Sequence, residues 1–109
     1  MERVYNKLVR DKIPEIIKSN GEIPIIKKLD NIEYKKELEK KLYEEYQEVL
    51  EANEENRLEE LADILEIIRA LAKLENKSLN DIIDIANNKN KKRGSFEDKI
   101  FLEKVIESE

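Results

Sequence analysis

The chain has 109 residues, 43% of them charged, with a net charge of −5 and a pI near 5.0. That balance is the wrong sign for a general nucleic-acid binder, and no apolar run approaches a membrane span. Cysteine and histidine are both absent, which excludes disulfides, thiolate or imidazole metal ligands and imidazole acid–base catalysis. A metal in this protein must therefore be held by oxygen, and a general base must be sought among the carboxylates. The length suits one domain, residues 1–109. Two glycines, two prolines and six aromatics fit a helical, strongly solvated chain rather than an all-β one. The start "MERVYNKLVRDK" lacks the apolar core of a signal peptide, so a reducing cytoplasm is the expected location, with no membrane and no nucleic-acid partner.

In chain order, "KLVRDKIPEIIKSNG" reads as a short helix entered near Asp11, with Pro14 in its first turn and Gly21 as its stop. "EIPIIKKL" is a β-branched connection with extended character. From Asn31 to about Asn53 the apolar stripe Tyr34, Leu38, Leu42, Tyr46, Val49 predicts a long helix. Asn56, with Glu59 three residues on, is the expected cap of a second long helix reaching about Glu75. Ser78 with Asp81 repeats that signature for a third, which ends at Arg93-Gly94-Ser95. The tail "FEDKIFLEKVIESE" is a strand-like or helical arm. No internal repeat and no long linker interrupts this order, so one all-α unit is expected, built on a central antiparallel helix pair. The second long helix has two apolar seams: Leu61, Leu65, Ile68, Ala72 and Ile64, Ile67, Leu71, Leu74. A helix apolar over more than half its circumference must be covered on most sides. A bundle completed by homodimerisation, or a dimer of dimers, is the expected source of that cover.

Both long helices place a glutamate on an apolar seam. Glu45 falls where the first stripe, stepping four, three, four, calls for an apolar side chain, and Glu60 lies four residues before Ile64. Each has an acidic companion three residues later, Glu48 and Asp63. A short connection makes the helices antiparallel neighbours and brings Glu45, Glu48, Glu60 and Asp63 to roughly one level. Carboxylates converging in a partly dry groove repel one another or bind protons, and a divalent cation relieves the conflict. Hard oxygen donors with open positions suit Mg²⁺, with Mn²⁺ as a substitute. Glu51–Glu54 and Asp81–Asp84 share the same spacing without the seam position; such pairs read as solvated faces. Basic residues accompany the acids: Lys41 one turn before Glu45, then Asn90, Lys92 and Arg93 in "NKNKKRGS", and Lys7, Arg10 and Lys12 near the start. Such patches are exceptions in an acidic protein and suit a polyphosphate ligand, although "KKR" at a helix C-terminus is also explained by the helix dipole.

"KLYEEYQEV" followed by "EELADILEII" resembles the paired ExxE…ExxD motif of the MazG-like, all-α nucleoside triphosphate pyrophosphohydrolases. "YNKLVRDKIPEII" and "KKRGSFEDKIFL" look like the flanks of a small stand-alone, phosphoribosyl-ATP pyrophosphohydrolase-like branch of that superfamily. The resemblance implies a MazG-like helical bundle whose Glu45, Glu48, Glu60 and Asp63 hold Mg²⁺. It implies cleavage between the α and β phosphates of a nucleotide, with Glu45 or Glu48 as the base. Lys41, Lys92 and Arg93 would stabilise phosphate charge, Asn90 would meet the base or sugar, and Lys7, Arg10 and Lys12 would face the same pocket. The expected role is house-cleaning of non-canonical or surplus (deoxy)nucleotides. The phosphoribosyl-ATP branch follows its ExxD with a Tyr-His pair, whereas this chain reads "ADILEII" and has no histidine, which counts against a role in histidine biosynthesis. The alternative is a non-enzymatic helical dimer, a binding or regulatory module whose seam carboxylates pair with Lys or Arg.

Overall fold

Four helices account for all the regular secondary structure in the computed structural model, which describes residues 1–108: α1 (Ile13–Ser19), α2 (Asn31–Glu51), α3 (Glu54–Leu74) and α4 (Leu79–Arg93). Each boundary has a local cause. Pro14 stands at the start of α1, where its missing N–H costs nothing. The helix closes with Gly21 at φ 82°, the Glu22 N–H donating to the Ile17 carbonyl and the Gly21 N–H to that of Lys18. This paired return is the Schellman arrangement, which needs a left-handed residue and so favours glycine. Residues 22–29 are neither helix nor strand. Asp30 caps α2 by accepting the Glu33 N–H at 2.9 Å.

The cap of α3 corrects the sequence reading. Asn53, not Asn56, is the capping residue; its backbone is extended, and its side-chain oxygen accepts the Asn56 N–H at 3.0 Å. Asn56 thus lies in the first turn. Glu54 and Glu55 come ahead of it, where the positive end of the helix dipole favours carboxylates. Helix α3 ends with a second Schellman return, Asn76 taking the left-handed place at φ 59°. Ser78 and Asp81 form the expected reciprocal capping box on α4. The tail read from sequence as a strand-like or helical arm, residues 96–109, carries neither element over 96–108, and Glu109 lies outside the described residues. The cap assignment is testable: Asn53→Ala should lower stability by about 1 kcal/mol. Asn56→Ala, in the first turn, should be neutral or slightly stabilising, since alanine is the better helix former. Thermal melts of the two variants side by side decide it.

Only Ala52 and Asn53 separate α2 from α3, so the two 21-residue helices return alongside one another as an antiparallel pair. The start of α2 (Asn31, Ile32, Lys35) shares a shallow groove with the end of α3 (Leu74, Glu75), as that orientation requires. The buried side chains are few: Leu38 and Val49 from α2, and Ile67 and Ala72 from α3. Helix α4 packs on α3 and not on α2, and α1 packs on no other helix. The result is an all-α architecture with principal extents of 71 × 34 × 22 Å. No described helix is long and apolar enough to cross a membrane.

Candidate metal centre

The two-residue connection fixes the register of the carboxylates. Glu45 lies seven residues before Ala52 and Glu60 seven residues after Asn53. At about 1.5 Å of rise per residue, the two reach the same height above the turn. Their companions step in opposite directions, because the helices run oppositely: Glu48 moves toward the turn and Asp63 away from it. By helical rise those two stand about 9 Å apart along the axis, one on each side of the Glu45–Glu60 pair.

Glu45, Glu60 and Asp63 each offer a carboxylate oxygen within 4.8 Å of the others, and all three residues are half-buried. Glu48 is exposed and lies outside that trio, but is near enough to raise the pKa of both Glu45 and Glu60. The Oε2 atoms of Glu45 and Glu60 are shielded from solvent and have no hydrogen-bond partner. Ordinarily such buried oxygens are satisfied.

Electrostatics records the same conflict. Burial, and then the neighbouring Glu48 carboxyl, push Glu45 up from 4.5 to about 7. Glu60 is also raised, chiefly by the neighbouring Glu48 carboxyl and then by burial, while the Glu45 carboxyl works against the rise. The direction is clear: without a cation, the pair retains a proton toward neutral pH, held mainly on Glu45 and shared with Glu60. A cation at this point would replace that proton. The all-oxygen chemistry of the trio would suit Mg²⁺ or Mn²⁺.

Of the basic residues expected near the site, Arg10 reaches it. Its Nη2 donates to Asp63 Oδ1 at 2.6 Å, linking the segment before α1 to α3 across 53 positions of sequence. Lys41 is half-buried on α2, one turn before Glu45. Lys7 instead lies over the Tyr5 ring, 5.9 Å from its centre, and Lys12 is the exposed capping residue of α1. Asn90, Lys92 and Arg93 are exposed in the last turns of α4, a helix that does not touch α2. Among the described residues no ion pair joins them to the carboxylates. The contact that sequence reasoning left unspecified is Arg10 with Asp63, for which no local pattern exists.

No protein-family model, no curated protein and no solved structure matches this chain.

Proposed function

We propose that the protein is a Mg²⁺-dependent nucleotide pyrophosphohydrolase that cleaves the α–β phosphoanhydride to give a nucleoside monophosphate and pyrophosphate. One observation carries the reading: Glu45, Glu60 and Asp63 converge to within 4.8 Å, with two buried oxygens lacking a partner. Carboxylates placed so, on helices with ample exposed surface, are accounted for by a divalent cation. The bound cation would neutralise phosphate oxygens and acidify a water. Glu45, Glu60 and Asp63 would hold it. Glu48, displaced toward the turn and open to solvent, is placed to accept the proton of an attacking water at a carboxylate oxygen, and Glu45 is the other candidate. Arg10 and Lys41 supply positive charge to the phosphate chain, Arg10 by leaving Asp63 for a phosphate, to which a guanidinium binds in bidentate fashion. Phosphoryl chemistry asks little more of a protein than positioning and charge neutralisation. The resemblance to the MazG-like superfamily points the same way, and clearance of non-canonical or surplus (deoxy)nucleotides in the cytoplasm is the role it suggests.

Incubation with a panel of ribo- and deoxyribonucleoside triphosphates and Mg²⁺ should release pyrophosphate and the matching monophosphate. Release of orthophosphate alone, or no turnover of any nucleotide, defeats the proposal. The Arg10–Asp63 pair, in which a protein cation neutralises one acid of the cluster, favours a second reading, a non-enzymatic binding or regulatory module. That reading requires Mg²⁺ to leave the melting temperature unchanged, whereas a cation that binds only the folded state must raise it.

A further inference from the structure

The N-terminal segment reaches the carboxylate cluster through one polar contact. Among the described residues, Arg10–Asp63 is the single side-chain hydrogen bond or ion pair that joins residues 1–29 to α2, α3 or α4. Arg3 pairs with Glu22 inside the N-terminal part itself. Helix α1 packs on no other helix, and Leu8 is the one residue of 1–12 that is not exposed. A segment held mainly by one partly exposed ion pair belongs to the low-stability end of a fold. Its charge nevertheless directs it to the cluster. Arg3, Lys7, Arg10 and Lys12 against Glu2 and Asp11 make residues 1–12 a positive arm in a chain of net −5, and four acids stand where Arg10 lands.

We propose that residues 1–12 form a strap, closed on the carboxylate cluster by Arg10 and opened by a divalent cation, so that Arg10 is free for a phosphate chain only once the cation is held. The proposal rests on the metal reading and names the regulation of that site. Asp63 serves two claims. Its Oδ1 accepts from Arg10 at 2.6 Å, and it is also one of the three acids whose oxygens converge within 4.8 Å. Glu45 and Glu60 have no such protein cation, and their Oε2 atoms have no partner. A cation drawn to those two therefore comes to the carboxylate that Arg10 occupies. A guanidinium and a divalent cation on one carboxylate are like charges at close quarters, and they repel. The contest is uneven. Arg10 holds Asp63 through one bond between side chains 57% and 40% exposed, whereas three carboxylates would hold the cation directly. Neutralising the cluster also removes the field that draws the positive arm to it. Strap closure and cation binding thus oppose one another, and the coupling is reciprocal.

Nitroxide labels on Val4→Cys and Glu59→Cys, both exposed positions in a chain with no cysteine of its own, report the strap by pulsed electron paramagnetic resonance. In metal-free buffer the distance distribution should be narrow, and saturating Mg²⁺ should broaden it and shift it to longer distances. Arg10→Gln in the labelled chain should give the broad distribution without Mg²⁺ and should not respond to Mg²⁺. Arg10 is exposed, so the helical circular dichroism of the variant should match that of the wild type. By reciprocity, titration calorimetry with Mg²⁺ alone should show Arg10→Gln binding it about tenfold more tightly. A distribution that stays narrow while calorimetry shows Mg²⁺ bound overturns the strap and leaves the metal reading standing. A metal-free distribution unchanged by Arg10→Gln also overturns it, as does weaker Mg²⁺ binding by that variant, which would make Arg10 a support for Asp63 rather than its competitor. If Mg²⁺ gives neither binding heat nor a melting shift while Arg10→Gln still frees the segment, the metal reading falls and cation release falls with it.

Discussion

Glu45→Gln is expected to reduce pyrophosphate release by at least about a thousandfold, the loss typical of removing a group that holds developing charge or a reacting proton, while leaving the helical circular dichroism intact. The size of the effect follows from its position. Glu45 is the member of the trio whose carboxyl is pushed up to about 7, first by burial and then by Glu48, and its Oε2 is shielded and without a partner. Glutamine keeps the shape but cannot carry the negative charge that would hold a cation. The same substitution should raise the melting temperature of the metal-free protein at neutral pH, because it removes a charge the folded state disfavours and leaves an amide able to donate to Glu60. Lower activity with higher stability separates a functional carboxylate from a packing residue, whose loss lowers both. Glu59→Gln, one position before Glu60 and exposed, is the control and should change neither. A Glu45→Gln protein retaining more than a tenth of wild-type pyrophosphate release would remove Glu45 from the proposed chemistry.

The seam position made this residue visible in the sequence, and local rules made most of the helices visible too. Pro14, Gly21 and the Ser78–Asp81 box act through backbone groups a few residues away, so their meaning survives without tertiary knowledge. The α3 cap was ambiguous for the same reason. Asn53 and Asn56 are both capping residue types, and Glu54 and Glu55 in the first turn, with a connection of only two residues, decide for Asn53. The level of the carboxylates demanded more. A step of three residues means opposite directions on antiparallel helices, so Glu48 and Asp63 step to opposite sides of the Glu45–Glu60 level. The Arg10–Asp63 pair joins segments with no shared periodicity, so pattern alone could not find it. The Leu61–Leu65 row of α3 was legible as an apolar face, and it remains exposed in the fold.

In metal-free buffer the melting temperature should fall as pH rises from about 5 to about 8, and millimolar Mg²⁺ or Mn²⁺ should restore it at pH 8 while doing little at pH 5. Glu45 titrates at 4.5 without its neighbours and near 7 in the fold. Between those values the folded state binds more protons than the unfolded one. The slope of stability with pH is therefore negative. The stabilising contribution is complete below pH 4.5 and is lost as pH rises through about 7. Discounted for the partial exposure of the carboxyl, it is of order 1–2 kcal/mol, or roughly 5–10 °C for a chain of this size. Asp81 acts with the opposite sign: hydrogen bonds from Ser78, the backbone N–H first, hold it below its ordinary 3.8, so its contribution is lost only at more acid pH, outside the window. A cation competes with the shared proton of Glu45 and Glu60, so its effect must grow as that proton leaves; at a hundred times its dissociation constant it adds about 2.7 kcal/mol. A metal-free profile that is flat or rises toward pH 8 contradicts the crowding of the carboxylates, and an equal Mg²⁺ shift in Glu45→Gln places the cation elsewhere. The charge cluster that destabilises the metal-free fold at neutral pH is the same property that would make it a cation receptor there, so the two arms of the titration should move together.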